Sequence, residues 1–135
     1  MRCLRIYADE AGESHFADID IPLVPMELFP GVPWVHLSAQ HTATSVRFAW
    51  VPSGMREAGW HITPVRQLVV WLTGWVEFET SDGKKRRCEP GAVVLAEDTV
   101  GKGHISRHPD EGQFLMFVPV PDGLSEEPPS GETKR

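Results

Sequence analysis

The chain has 135 residues, a length typical of a single domain. Its formal net charge of −6 argues against nucleic-acid binding, because such binding depends on clustered Lys and Arg side chains that neutralise phosphates. No run approaches the roughly 20 apolar residues of a membrane-spanning helix, and the N-terminal segment turns acidic before any stretch long enough for a secretion signal. We therefore expect a cytoplasmic protein that binds neither nucleic acid nor membranes, with Cys3 and Cys88 reduced.

The first third of the chain is irregular. Residues 17–21 alternate like a strand, but the next segment is interrupted by prolines at positions 22, 25, 30 and 33. This stretch is expected to run in extended form across the outside of the fold or across a neighbouring subunit. Residues 45–50 then place the bulky apolar side chains of Val46, Phe48 and Trp50 at even positions, which predicts a strand that buries this face.

The middle of the chain contains the clearest strand signals. Residues 67–73 are apolar on both faces, as in a central strand. In residues 76–80, Val, Phe and Thr alternate with two glutamates, which predicts one buried and one solvated face. Asp82 and Gly83 predict a type I′ hairpin, whose turn needs positive φ at both central residues. The basic run over residues 84–87 predicts a solvated edge strand.

The remaining strand signals are residues 92–96 and 113–118, on either side of a loop over residues 97–104 whose glycines indicate a tight backbone. Many short strands with turn residues between them predict an all-β sandwich or closed barrel. We expect one domain over residues 1–120. Residues 121–135 contain one large apolar residue among Pro, Gly, Ser and Glu, so we expect a flexible C-terminal tail.

Two stretches of the chain have a distinctive spacing of Gly, His and polar residues, namely Gly54, His61, Thr63, Gln67 and Gly74 in the first and Gly101 and His104 in the second. At these positions the chain resembles the cupin superfamily, whose motifs are Gly-x5-His-x-His-x3-4-Glu-x6-Gly and Gly-x5-Pro-x-Gly-x2-His-x3-Asn. The resemblance covers most of residues 5–120. It implies a cupin-type double-stranded β-helix, that is, a jelly-roll barrel.

Cupin metal sites typically use three His and one Glu, and the resemblance aligns Thr63 with the second His and Gln67 with the Glu. The metal ligands that it implies are therefore His61, Gln67 and His104, around a divalent ion such as Fe, Mn, Ni or Zn. A neutral amide supplies no charge to offset a cation, and the lost imidazole is a ligand suited to these metals. Metal binding is expected to be weaker than in a cupin with all four ligands.

The spacing leaves structural alternatives open for two of these residues. His61 and Gln67 would lie roughly 20 Å apart along a straight strand, so they can share an ion only if the chain bends between them, and Pro64 can provide that break. Otherwise His61 is a hydrogen-bonded residue in the barrel mouth, and Gln67 bonds backbone groups in the interior.

Three further residues are candidates for a substrate pocket. Thr63 occupies a motif position, and Trp71 shares the strand parity of Gln67. His15 belongs to an opening segment, residues 12–16, that resembles a bacterial subgroup of small single-domain cupins, as does the loop over residues 97–104. In the loop after residue 96, Glu97 and Asp98 either shape the backbone or act as an acid or base.

His108 is a poor candidate on spacing. It would lie about 13 Å beyond His104 along a continuing strand, so it cannot share an ion with that residue. Exposure to solvent beside Pro109 is the expected outcome.

Two functions remain open. The first is a metal-dependent enzyme, dioxygenase-like or isomerase-like, that acts on a small organic substrate. The alternative is a non-catalytic small-molecule-binding barrel. The chain has neither a Gly-x-Ser-x-Gly elbow nor a phosphate-binding loop, so no catalytic nucleophile is assigned. Because cupins are commonly dimers, we also expect a homodimer.

Overall fold

The computed structural model describes residues 1–125 and 127–129, and every regular element in this range is a β-strand. The all-β prediction is confirmed, and the described part of the chain has no helix that could cross a membrane. The strands are β1 (Arg2–Ala8), β2 (Ser14–Asp20), β3 (Val24–Met26), β4 (Val35–Leu37), β5 (Arg47–Val51), β6 (Glu57–His61), β7 (Gln67–Trp71), β8 (Val76–Thr80), β9 (Lys85–Cys88), β10 (Val93–Ala96), β11 (His104–Arg107) and β12 (Gln113–Pro119).

The strands form two large sheets and one small one. The first sheet has the order β2-β1-β10-β7-β12-β5, the second has the order β6-β11-β8-β9, and β3 pairs with β4 alone. All pairs are antiparallel except β1 with β10. Strand β7 is central, as predicted. Within the described residues the sheets stay separate, so the architecture is consistent with a β-sandwich and is not a closed hydrogen-bonded barrel.

The main core lies between the two large sheets. Strand alternation turns Ile6, Val69 and Trp71 of the first sheet toward Val76 and Phe78 of the second, and all five are buried in one cluster. Glu77 and Glu79 point to the other face, as the alternation of β8 predicts. Burial of these large apolar groups is the main favourable term that holds the two sheets together.

A second cluster covers the opposite face of β1 and β10. It contains Cys3, Ile21, Leu95 and Val120, and Leu124 packs against it. The first residues after 120 therefore contact the body of the domain. Residues 126 and 130–135 of the expected tail lie outside the described residues, and the flexible-tail assignment stays a prediction.

Strand β5 has the opposite parity to the predicted one. Phe48 and Trp50 are 71% and 52% exposed, whereas Val51 lies on the inner side and Ala49 packs against the core. The prediction failed because β5 is the edge of its sheet, and the face that holds its bulky residues is the one left exposed. The rings of Trp50 and Phe114 lie 4.6 Å apart on this outer face.

The β8–β9 hairpin forms at the predicted place with a different turn. Gly83 has φ +86°, but no non-glycine residue in the described range has positive φ, so Asp82 does not adopt the type I′ geometry. Instead, Thr80 N–H donates to Lys84 O at 3.0 Å across a three-residue loop, and the Asp82 carboxylate accepts from Thr80 Oγ1 at 2.6 Å. Strand β9, which contains most of the basic run, is an edge strand as predicted.

The loop before β11 is tight at Gly103, which determines where β11 begins. Gly103 has φ +73°, and a Cβ atom there would overlap the carbonyl group of His61. Its own carbonyl accepts a hydrogen bond from Ser14 Oγ at 2.6 Å. The loop backbone therefore lies directly against the end of β6, and His104 comes immediately after it.

We predict that Gly103→Ala destabilises the protein by at least about 1 kcal/mol more than Gly83→Ala. Both glycines have positive φ, which costs an L-residue about 1–2 kcal/mol, but only Gly103 faces backbone atoms that cannot move aside easily. Gly83, which has open space around it, is the matched control. Urea unfolding of the two variants gives the comparison, and equal losses would contradict the close approach.

Candidate functional site

A cavity of about 590 Å³ opens between the two large sheets, within the size range of small-molecule sites. Most of its wall is apolar and comes from both sheets, including Ile6, Val51, Val69, Trp71, Phe78, Val94, Leu115 and Phe117. The polar part of the wall is formed by Ser45, Arg47, His61, Thr63, Gln67, His104, Ser106 and His108. The cavity thus combines an apolar body with a limited set of polar groups.

The structure brings five predicted site residues to this cavity, namely His61, Thr63, Gln67, Trp71 and His104. The expected break at Pro64 is present, because β6 ends at His61 and β7 begins at Gln67 in the other sheet. The turn between the two strands therefore lets both side chains reach one space, although a straight strand would place them roughly 20 Å apart.

His104 is oriented by a buried carboxylate. Asp98 is 0% exposed, and its Oδ2 atom lies 2.5 Å from His104 Nδ1. Its other oxygen, Oδ1, accepts a hydrogen bond from Thr63 Oγ1 at 2.7 Å. A backbone hydrogen bond connects the same two residues, since Thr63 N–H donates to Asp98 O at 3.0 Å. A carboxylate at Nδ1 places the proton there, which leaves Nε2 of a neutral ring as a base.

His61 lies beside His104 because β6 and β11 pair in register at these two residues. The ring centroids are 4.5 Å apart, with an angle of 60° between the planes. His61 Nδ1 is 2.6 Å from Gly59 O, an acceptor that likewise fixes the proton on Nδ1. Phe78 contacts the His104 ring edge to face, at 5.6 Å between centroids. The two imidazoles thus have their Nδ1 atoms engaged, and their Nε2 atoms make no hydrogen bond to the described residues.

The same residues fit a metal ion only partly. Metal-ligating histidines usually donate their second ring N–H to a carboxylate or carbonyl, as His61 and His104 do. However, both Asp98 oxygens are engaged, and no group of three or more His, Cys, Asp or Glu in the described range could hold an ion. Two imidazoles and the neutral amide of Gln67 remain as donors. The metal role of His61, Gln67 and His104 stays a prediction.

His108 is buried, although its spacing predicted exposure. It is 4% exposed and stacks on Trp71 with ring centroids 5.8 Å apart. The strand β11 ends at Arg107, and His108 N–H donates to Arg56 O at 2.8 Å, so the straight-strand estimate does not hold. His108 Nε2 lies 3.1 Å from Ser106 Oγ, while Nδ1 has no hydrogen-bond partner among the described residues. Burial lowers the pKa of His108 below its ordinary value, which keeps the ring neutral.

The structure does not bring His15 to the cavity. Its ring lies between two carboxylates, with Nε2 2.7 Å from Asp9 and Nδ1 3.0 Å from Asp82. These hydrogen bonds raise the pKa of His15 above its ordinary value, with Asp9 contributing most. His15 thus joins the β1–β2 hairpin to the β8–β9 turn and is not part of the cavity wall.

Sequence reasoning left the roles of Glu97 and Asp98 open. Glu97 pairs with Arg5 and Arg66, whereas Asp98 is the carboxylate at the site. Nothing in its loop position distinguished a buried carboxylate from an exposed one, because the signal is the long-range contact with Thr63 and His104. A buried polar group must find partners, but a single sequence does not say which ones.

We predict that the pKa values of His15 and His108 lie on opposite sides of 6.5, the ordinary histidine value. The ring signals of each residue, followed by NMR from pH 5 to 8 in about unit steps, report this directly. A pKa of His108 higher than that of His15 would contradict the geometry described.

The two pKa shifts have opposite consequences for stability. As pH falls below 6.5, the unfolded chain protonates at residue 108 before the folded protein does, so His108 destabilises the fold in acid. His15 stabilises it there, and that contribution is lost as pH rises through its raised folded-state pKa. Acid destabilisation should therefore be smaller in His108→Gln and larger in His15→Gln than in the wild type.

Comparison with known proteins adds no family assignment. A scan against protein-family models finds no match, and a search of curated proteins finds no relative of significant similarity. The function is therefore inferred from the geometry of the site.

Proposed function

We propose that this protein is a cupin-type enzyme that binds a small organic molecule between its sheets and moves a proton with His104. The observation that carries the proposal is the buried Asp98–His104 pair facing a largely apolar cavity. A carboxylate behind an imidazole is the arrangement by which enzymes orient a general base and stabilise its protonated form.

The cupin-type double-stranded β-helix is part of this proposal. Two facing sheets, with His61 and His104 on paired strands of one sheet and Gln67 on the other, support it. The motif resemblance of these residues is independent support, because it depends on sequence spacing alone.

The chemistry that these residues favour is isomerase-like proton transfer next to a carbonyl group. The Nε2 lone pair of His104 takes a proton from the carbon beside the carbonyl, and the electron pair moves toward the carbonyl oxygen. Asp98 stabilises the imidazolium that forms, and the same nitrogen returns the proton to a carbon of the product. His104 and Asp98 are both buried, which strengthens the electrostatic interaction between Asp98 and the charged ring.

A second candidate is metal-assisted chemistry, dioxygenase-like or isomerase-like, with a divalent ion held by His61, Gln67 and His104. The engaged Nδ1 atoms of both imidazoles are the observation that favours it. A bound ion would supply Lewis-acid activation of a carbonyl or a binding position for oxygen. Without either activity, the same cavity serves as a non-catalytic small-molecule-binding site.

We predict that the protein accelerates exchange of deuterium from solvent into carbons beside the carbonyl in small ketones and aldehydes. Positioned general bases contribute about 10²–10⁴-fold, so His104→Gln should return the rate to background and Asp98→Asn should lower it strongly. NMR of the probe compounds measures the rate. His36→Gln is the control, because His36 is exposed and lies outside the cavity. Equal rates in the wild type and His104→Gln would exclude this role.

The metal alternative has its own prediction. Calorimetric titration with Zn²⁺, Ni²⁺, Mn²⁺ and Fe²⁺ should show uptake that falls sharply in His104→Ala and on acidification, because imidazoles must be neutral to ligate. Gln67→Glu should tighten binding by adding a negative charge near the cation. Uptake that is the same in the wild type and in His104→Ala would locate the ion elsewhere. If the protein shows neither metal uptake nor exchange activity, the non-catalytic binding protein is the alternative that remains.

The proposal includes a homodimer. The outer face of the β5 edge exposes Phe48, Trp50 and Phe114, and contiguous exposed aromatic groups next to a free sheet edge commonly mark an association surface. Light scattering should give twice the chain mass of 15.1 kDa at micromolar concentration. Phe48→Glu should give the monomer mass, whereas Val100→Glu, at an exposed loop position, should not. A monomeric wild type would exclude the dimer.

A further inference from the structure

The reversed parity of β5 has a consequence for the cavity. With Phe48 and Trp50 turned outward, Arg47 falls on the inner side of the strand with Val51, and both line the cavity. Arg47 also remains exposed to solvent, so its guanidinium can meet a charged group that enters the cavity.

Arg47 has no ion-pair partner among the residues that the structure describes. Six other arginines have one, namely Arg2, Arg5, Arg66, Arg86, Arg87 and Arg107. Arg56 also has none within the described range and is exposed like Arg47, but it does not line the cavity. Arg47 is thus the one described arginine that combines an open guanidinium with a place in the cavity wall.

The cavity wall also lacks negatively charged side chains among the described residues. Its ionisable residues are Arg47, His61, His104 and His108, and no Asp or Glu is among the described residues that line it. The Asp98 carboxylate lies behind the wall, and its two oxygens are engaged by Thr63 and His104. In a chain of net charge −6 this lining is a local exception, and it favours an anionic guest over a cationic one.

We propose that the cavity binds a small organic acid whose carboxylate pairs with Arg47, while its apolar body contacts the wall. The guanidinium fork matches a carboxylate with two parallel hydrogen bonds, and such charge-assisted pairs are stronger than neutral ones. The reactive carbonyl of the same molecule faces His104. This inference rests on the proposed function for the use of the cavity and adds the chemical class of its substrate.

An inward charge on an edge strand has one other explanation. Sheets use such charges to prevent edge-to-edge pairing, a role that needs no ligand. That role predicts aggregation when the charge is removed and no preference for acids, so ligand binding separates the two explanations.

The test uses matched pairs of probes, monocarboxylates of four to ten carbons, linear and aromatic, and their primary amides. Calorimetry on the full chain, in a buffer without carboxylates and at low salt, measures each affinity. We expect at least one acid to bind about tenfold more tightly than its amide, a difference of about 1.4 kcal/mol. In Arg47→Gln the acid-to-amide ratio should fall to within about twofold, while amide binding persists. Arg56→Gln, the matched control, should keep the wild-type ratio.

Equal affinities for acids and amides, or a ratio that survives in Arg47→Gln, would overturn the inference. A ratio lost equally in Arg56→Gln would overturn it too, because a general surface charge would then explain the preference. Absence of binding by every acid counts against it as well. None of these outcomes alters the deuterium-exchange result expected of His104, so failure here is distinguishable from failure of the proposed function.

Discussion

The interaction on which the site depends is the burial of the Asp98 carboxylate. A charged group without solvent contact is tolerated only when its oxygens are bonded, and here Thr63 and His104 provide those bonds. The two partners come from different parts of the chain, the connection after β6 and the start of β11. One carboxylate therefore joins the two segments that bear the motif residues. Loss of either partner leaves one buried carboxylate oxygen without its hydrogen bond, at a cost of about 1–3 kcal/mol.

The backbone around this carboxylate is equally constrained. Gly103 lets the loop lie against the end of β6, so that His104 begins its strand directly opposite His61. The imidazole pair is thus a product of strand register, and each ring is then oriented by an oxygen at Nδ1. A site built from two strands and a buried carboxylate is held more rigidly than one built on loops, as the proposed acid–base role would require.

The two faces of strand β5 have different roles. Its outer side exposes Phe48 and Trp50 at a free sheet edge, whereas its inner side contributes Val51 and Arg47 to the cavity. Association of two chains through the outer face would bring the partner close to the strand that bears Arg47. The proposed dimer surface and the proposed acid-binding residue are therefore neighbours on one element.

The sequence by itself determined the all-β class, the strands β7, β8 and β10 and the edge position of the basic run. These features depend on local alternation and turn residues, which one chain segment contains within itself. The resemblance to the cupin superfamily, and not local pattern, implied a shared pocket for His61, Thr63, Gln67, Trp71 and His104. Only the tertiary structure decided the partners of Asp98, the burial of His108 and the inner face of β5. Each depends on contacts between segments far apart in the chain. Alternation shows that a strand has two unlike faces, but which face turns inward is decided by the sheet that packs against it.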